Sequence, residues 1–193
     1  HPIWGTLPEG PDGWAYATRN GGRIPGLSIE SIPNCSGKGL NTIEFTNQTL
    51  FFKIGQLGNY LTDYKTLWCP KDVTQRSGGE FKSLFLGRAV KVTSYCWNGT
   101  IGGYCGPKAE TLNGRTYKLS NFEPSGWQMW EQNEADSFFF NDAGNHPETA
   151  GETISLRHSG APDHLRLAKA GNYPRTLPGG AVVCCFDGHS AMM

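Results

Sequence analysis

"RHSGAPDHLRLAKAGNYPRTLPGGAVVCCFDGHSAMM" spans Arg157 to Met193. Its reading decides whether the chain is an enzyme or a scaffold. An Arg-His pair opens the stretch, and an apolar run from Ala181 to Phe186 leads into Asp187-Gly188-His189. The run has the length of a buried strand and Asp-Gly is a tight-turn pair, so the stretch predicts a strand that folds back into "HSAMM". Imidazoles and a carboxylate beside such a turn are also what a hydrolase or a metal site would use. Three readings follow: a catalytic constellation, a metal site, or a terminal hairpin locked by polar residues.

Upstream of this stretch the pattern is one early helix followed by short strands. The first 46 residues are punctuated by Gly and Pro and read as an irregular covering segment. "NQTLFFKIGQLGNYL" places Leu50, Ile54, Leu57 and Leu61 on one helical face, with Asn47 as N-cap. "DYKTLWCPKD" turns at Cys69-Pro70. Val90 to Trp97 alternates and carries β-branched and aromatic residues, which predicts a strand closed by Asn98-Gly99. "DSFFFNDAG" and "ETISLRH" read as two further strands. The expected class is α+β: one domain over 1–193, an antiparallel sheet with one short helix and many loops.

Composition narrows the function. The chain has 193 residues, enough to bury roughly 70% of its unfolded surface without staples. Its 17 basic and 17 acidic residues cancel, which argues against a general nucleic-acid binder, whose affinity rests on surplus Lys and Arg. No apolar run reaches the ~18 residues of a membrane span. The sequence opens His-Pro without an initiator Met, as a processed or trimmed product would.

Candidate chemistry is thin. Cys105, His158 and Asp187 can be nominated as a hydrolytic set, but G-x-S-x-G is missing and Ser190 sits in "GHSAM". His158 and His164 are six apart across Gly160 and Pro162, not the helical spacing of a zinc protease. "NDAGNHPETAGE" offers Asp142, Asn145, Glu148 and Glu152 in one loop, oxygen donors of the kind Ca2+ takes. Its bland alternative is a solvated turn. The six Trp suggest sugar stacking, against core packing as the plainer role. Cys96 and Cys105 flank "CWNGTIGGYC" and could close a small disulfide loop; buried free thiols are the alternative. "GLSIES" and "RSGGEF" match no phosphate-binding loop.

Several pieces together resemble the pseudopilins, pilin-related subunits of type IV pilus-like and type II secretion-like machines. Their C-terminal signature is Arg-His, nine residues, then Asp-Gly. It appears here as Arg157-His158, Gly179-Gly180, "AVVCCF" and Asp187-Gly188-His189. "LWCPKD" at Leu67–Asp72, with Cys69-Pro70, "SYCWNGTIGGY" at Ser94–Tyr104 and "FNDAG" at Phe140–Gly144 also match. The resemblance covers about 47–193 and departs in two ways. His158 and Asp187 are separated by 28 residues, which makes 159–178 an insertion, and the family's hydrophobic N-terminal helix is missing.

The resemblance implies a pilin-like head with a structural role: a filament subunit that assembles with its own or related subunits through that missing helix. It implies an extracytoplasmic location, with a membrane anchor before processing, and no catalysis. Calcium held in a C-terminal loop is a property of related subunits, which raises a cation site here without saying which residues would bind it; Asp142, Asn145, Glu148 and Asp187 are the metal candidates by residue type, with no cofactor required. An Asp187–His158 hydrogen bond would lock the terminal hairpin, and Gly188 would supply its positive φ. The alternatives are an extracytoplasmic carbohydrate-binding domain and a metal-dependent hydrolase.

Overall fold

The computed structural model describes residues 48–50, 52–53, 56–88, 90–102, 118–140, 144–145, 152, 154–161 and 180–193. The covering segment at 1–46, Cys105, Asp142, Glu148 and most of 159–178 lie outside the described residues.

The frame is one five-stranded sheet: β1 (Tyr95–Asn98), β2 (Trp127–Glu131), β3 (Gly144–Asn145), β4 (Val182–Cys185) and β5 (Ser190–Met192), in the order β3-β1-β2-β4-β5. β2 pairs antiparallel with β1 and with β4, and β4 pairs antiparallel with β5. β3 runs parallel to β1, so the sheet is mixed rather than antiparallel throughout. The α+β class holds.

Register explains the core. Cys96 lies opposite Trp130, Trp130 opposite Val183, and Val183 opposite Ala191. Directly opposed residues share a face. Cys96, Trp130 and Val183 accordingly form one buried apolar cluster, against which Trp127 and Ile154 pack. Glu131 is one residue further along β2 and points to the other face.

Two α-helices follow Cys69: α1 (Pro70–Gln75) and α2 (Gly79–Gly87). Pro70 stands at the start of α1, where its missing N–H costs nothing and its fixed φ suits the helix. The expected turn at Cys69-Pro70 is therefore a helix start. Phe81 and Leu84 of α2 pack on Ala135 and Leu156. The expected early helix is helical at 48–50 and 52–53 and then tightens into a 3-10 turn at Gln56–Asn59. Phe52, not Leu50, is its buried anchor. Gln48 holds the piece in place: its Oε1 accepts from the backbone N–H of Lys91 and Val92.

Three strand expectations need correction. Val90, Lys91, Val92, Thr93 and Ser94 are buried, but their backbone bonds go to Phe140, Leu67 and the Gln48 side chain, so the strand begins only at Tyr95. Ser137–Phe140 is a 3-10 helix. Among the described residues the Ile154 segment makes one bridge, to Gln132.

The terminal hairpin is formed as expected. Gly188 N–H donates to Cys185 and Cys185 N–H donates to His189, closing a three-residue loop with Gly188 at φ 87°. Phe186 stacks on Phe122 at 4.3 Å and anchors the loop against residues 124–126. Gly180 is needed for a different reason: a Cβ there would stand 2.8 Å from the Ser155 carbonyl oxygen. In urea titration, Gly188→Ala should cost about 1–2 kcal/mol, from backbone strain alone, and Gly188→Asn less. Gly180→Ala should cost about 1–3 kcal/mol by forcing β4 away from the Arg157 segment.

Candidate functional site

On the polar side of the sheet, α1, β2 and the segment 155–158 bring charged side chains together out of water. Asp72, in the first turn of α1, accepts two bonds from Arg88 (2.9 and 3.0 Å) and one from Ser94 Oγ (2.7 Å). Arg157 Nη1 lies 3.1 Å from the same carboxylate. Arg157 has no exposed surface. Its Nη2 reaches the Gln132 carbonyl and Glu134, and its Nε donates to Ser155 Oγ. Ser155 Oγ in turn donates to Glu134 at 2.5 Å.

These groups set each other's ionisation. Burial alone would raise the Asp72 carboxyl, but Arg88 and Arg157 outweigh it and hold that group well below the usual carboxylate range. Burial alone would weaken the Arg157 cation, yet Glu134 and Asp72 raise it above its ordinary value. Each charge is retained only because its partners are present.

A second group adjoins the first. His158 Nε2 lies 3.0 Å from Glu131 Oε1 and 3.4 Å from Cys69 Sγ. The side chain of Glu131 is completely buried, whereas that of His158 is 24% exposed. Val182 N–H donates to the other Glu131 oxygen at 2.8 Å. Cys69 is fixed by its place before Pro70 and by its N–H, which donates to Ser94 Oγ. Burial, and then the bond to Glu131, push the Cys69 thiol up. Tyr95, opposite Glu131 in register, is pushed up to about 12 by burial and by the Glu131 charge.

This geometry is not a thiol-hydrolase triad. In such a triad the carboxylate holds one imidazole nitrogen and the other nitrogen takes the thiol proton. Here carboxylate and thiol both face Nε2. A raised thiol is also a poor nucleophile at neutral pH.

The predicted residues separate into two places. Arg157, His158, Cys69 and Pro70 surround the buried cluster. Asp187 and His189 do not join it. Asp187 Oδ1 sits 2.5 Å from His189 Nδ1 and accepts the His189 N–H, with both side chains exposed on the hairpin loop. The His189 backbone N–H is the main cause that lowers the Asp187 carboxyl. The expected Asp187–His158 lock is therefore corrected: His158 N–H bonds to Gly180 and its ring turns toward β2.

Of the calcium candidates, Asp142 and Glu148 lie outside the described residues, and the two that are described, Asn145 and Asp187, lie apart. Asn145 is buried on β3 with its amide donating to the Phe139 carbonyl, and Asp187 follows β4, three strand positions away. That is ~14 Å at the usual strand spacing, too far for one coordination shell. Cys96 Sγ bonds to Gln132 Oε1 at 2.9 Å, and its candidate disulfide partner Cys105 lies outside the described residues. Of the described tryptophans, Trp97 and Trp130 are buried and Trp68 and Trp127 half-buried.

Asp72, Arg88, Glu131 and Glu134 are site residues that sequence reasoning did not single out. The sequence signal for Glu131 and Glu134 was their closeness in "WEQNEA", and that for Asp72 its place at the end of "LWCPKD". No family model, curated protein or solved structure matches the chain.

Arg157→Met should lower stability by about 3–5 kcal/mol in urea, because Asp72 and Glu134 would stay buried without their cation. The Asp72 carboxyl has its folded value below its unfolded one, so its stabilisation is present above the unfolded value near ~3.9 and is lost as pH falls further. Melting followed against pH should therefore show an acid fall in the wild type that Asp72→Asn flattens, from a lower neutral plateau. Peptide mapping after iodoacetamide at neutral pH should find Cys69 unmodified in the native chain and modified once it is unfolded.

Proposed function

We propose that the chain is the globular head of a pseudopilin-like subunit, with a structural role in a pilus-like or type II secretion-like filament outside the cytoplasm. One observation carries this reading. Three of the sequence pieces that bear the pseudopilin resemblance meet in one buried cluster: Asp72 of "LWCPKD", Ser94 of "SYCWN" and Arg157 of the Arg-His pair are joined through a single carboxylate. Gly180 and His158, from the same signature, meet through a backbone bond. Residue types of the kind that serve catalysis are here bound to each other.

On this reading the signature holds the head together, and assembly with like subunits would depend on a hydrophobic segment preceding the head. The test is made in the native cells. Antibodies against the chain should find it in the sheared surface-filament fraction, and deletion of the prepilin peptidase should leave it unprocessed and absent from that fraction. Recovery only from the cytosol, indifferent to the peptidase, would refute the proposal.

A further inference from the structure

We propose that Cys69, Glu131 and His158 form a zinc-binding site that ties the start of α1, the end of β2 and the Arg157-His158 segment together. One potential ligand atom from each of these residues lies within 4.8 Å of the other two. The Nε2–Oε1 and Nε2–Sγ separations are 3.0 and 3.4 Å. Tetrahedral zinc, with bonds of ~2.0 Å to nitrogen or oxygen and ~2.3 Å to sulfur, requires edges of about 3.3 and 3.5 Å. Shifts of a few tenths of an ångström bring Nε2 to those distances from its two neighbours, and the Sγ–Oε1 edge, within 4.8 Å here, would settle near ~3.5 Å around the ion.

Without a metal, the Cys69 thiol and the His158 ring both lean on the one Glu131 carboxylate. A cation takes a lone pair from all three. A thiolate and a carboxylate also cancel the charge of a divalent ion, so a neutral unit would be buried.

The donor set selects the metal. Sulfur with imidazole nitrogen and one carboxylate oxygen suits zinc, whereas calcium and magnesium take oxygen shells. Each ligand is braced from outside. Val182 N–H holds the second Glu131 oxygen, Ser94 holds the Cys69 backbone, and Gly180 holds that of His158. Such outer contacts orient metal ligands. The half-exposed ring of His158 marks the solvent side, where water would complete the shell. The proposal does not rest on the filament reading, since a zinc staple would serve the head in either role.

The purified chain, stripped with chelator and re-equilibrated with ZnCl2, should retain one zinc per chain by elemental analysis. Its Tm should rise with zinc and fall back with chelator, and CaCl2 should not substitute. Cobalt(II) in place of zinc should give tetrahedral d–d bands with a thiolate-to-cobalt charge-transfer band. Cys69→Ser and His158→Gln should each weaken zinc binding at least ~10-fold, with folding checked by circular dichroism. His158→Gln replaces a partly exposed ring and so spares the core. Failure of the folded wild type to bind zinc, a cobalt spectrum without the thiolate band, or unchanged affinity in folded His158→Gln would each overturn the proposal.

Discussion

The structure depends on a guanidinium with no access to water. Arg157 joins Asp72 of α1, the Gln132 carbonyl just beyond β2 and Glu134, three places that share no β-ladder with one another. A buried cation cannot remain unpaired, so wherever Arg157 goes, two carboxylates must follow. Packing of α1 against the end of β2 is thus prescribed by charge as well as by shape. The position of Cys69 and His158 follows from the same constraint, since each lies close in sequence to a member of the pair.

Such an arrangement is a poor source of stability in itself. Desolvating two ions costs several kcal/mol apiece, and apolar residues of similar volume often do as well or better. Its value lies in discrimination among ways of assembling the same segments. Asp72 accepts from Arg88 in the two-pronged geometry that only a guanidinium offers, and Arg88 lies over the Phe140 ring at 3.8 Å. The residue after α2 and the 3-10 helix at Ser137–Phe140 are thereby drawn into the same set of contacts. A packing that lost one member would leave the others charged and dry, which penalises near-miss arrangements heavily.

What the sequence disclosed follows from the range of the forces involved. The β4–β5 hairpin was legible because its causes are local: an apolar run, then Asp-Gly, with Gly188 taking positive φ. α2 was not, because Ser77, Gly78 and Gly79 interrupt the pattern just where it starts. Val90 to Ser94 has the residues of a strand, yet its backbone partners are the Gln48 amide, Leu67 and Phe140, distant positions that no periodicity reveals. Asn145 and Asp187 matched a calcium chemistry by residue type, but the sheet order puts them on different strands' ends. Arg157 and His158 were visible as a motif. Their carboxylate partners were not, because those pairings form only when β2 lies beside the Ile154 segment.

β2 therefore carries two incompatible neighbourhoods on adjacent residues. Trp130 belongs to the dry row with Cys96 and Val183, and Glu131 to the polar group with His158 and Cys69. A slip of one residue would place a carboxylate among apolar side chains and an indole among ions, so both faces oppose it. The strand nevertheless has to accommodate β4, and the irregularity in their pairing falls between Trp127 and Met129. An extra residue absorbed there adjusts the approach of β4 while leaving Trp130 opposite Val183. The mismatch is taken up at the end of β2 remote from the ions, because only there can the register yield without moving Glu131.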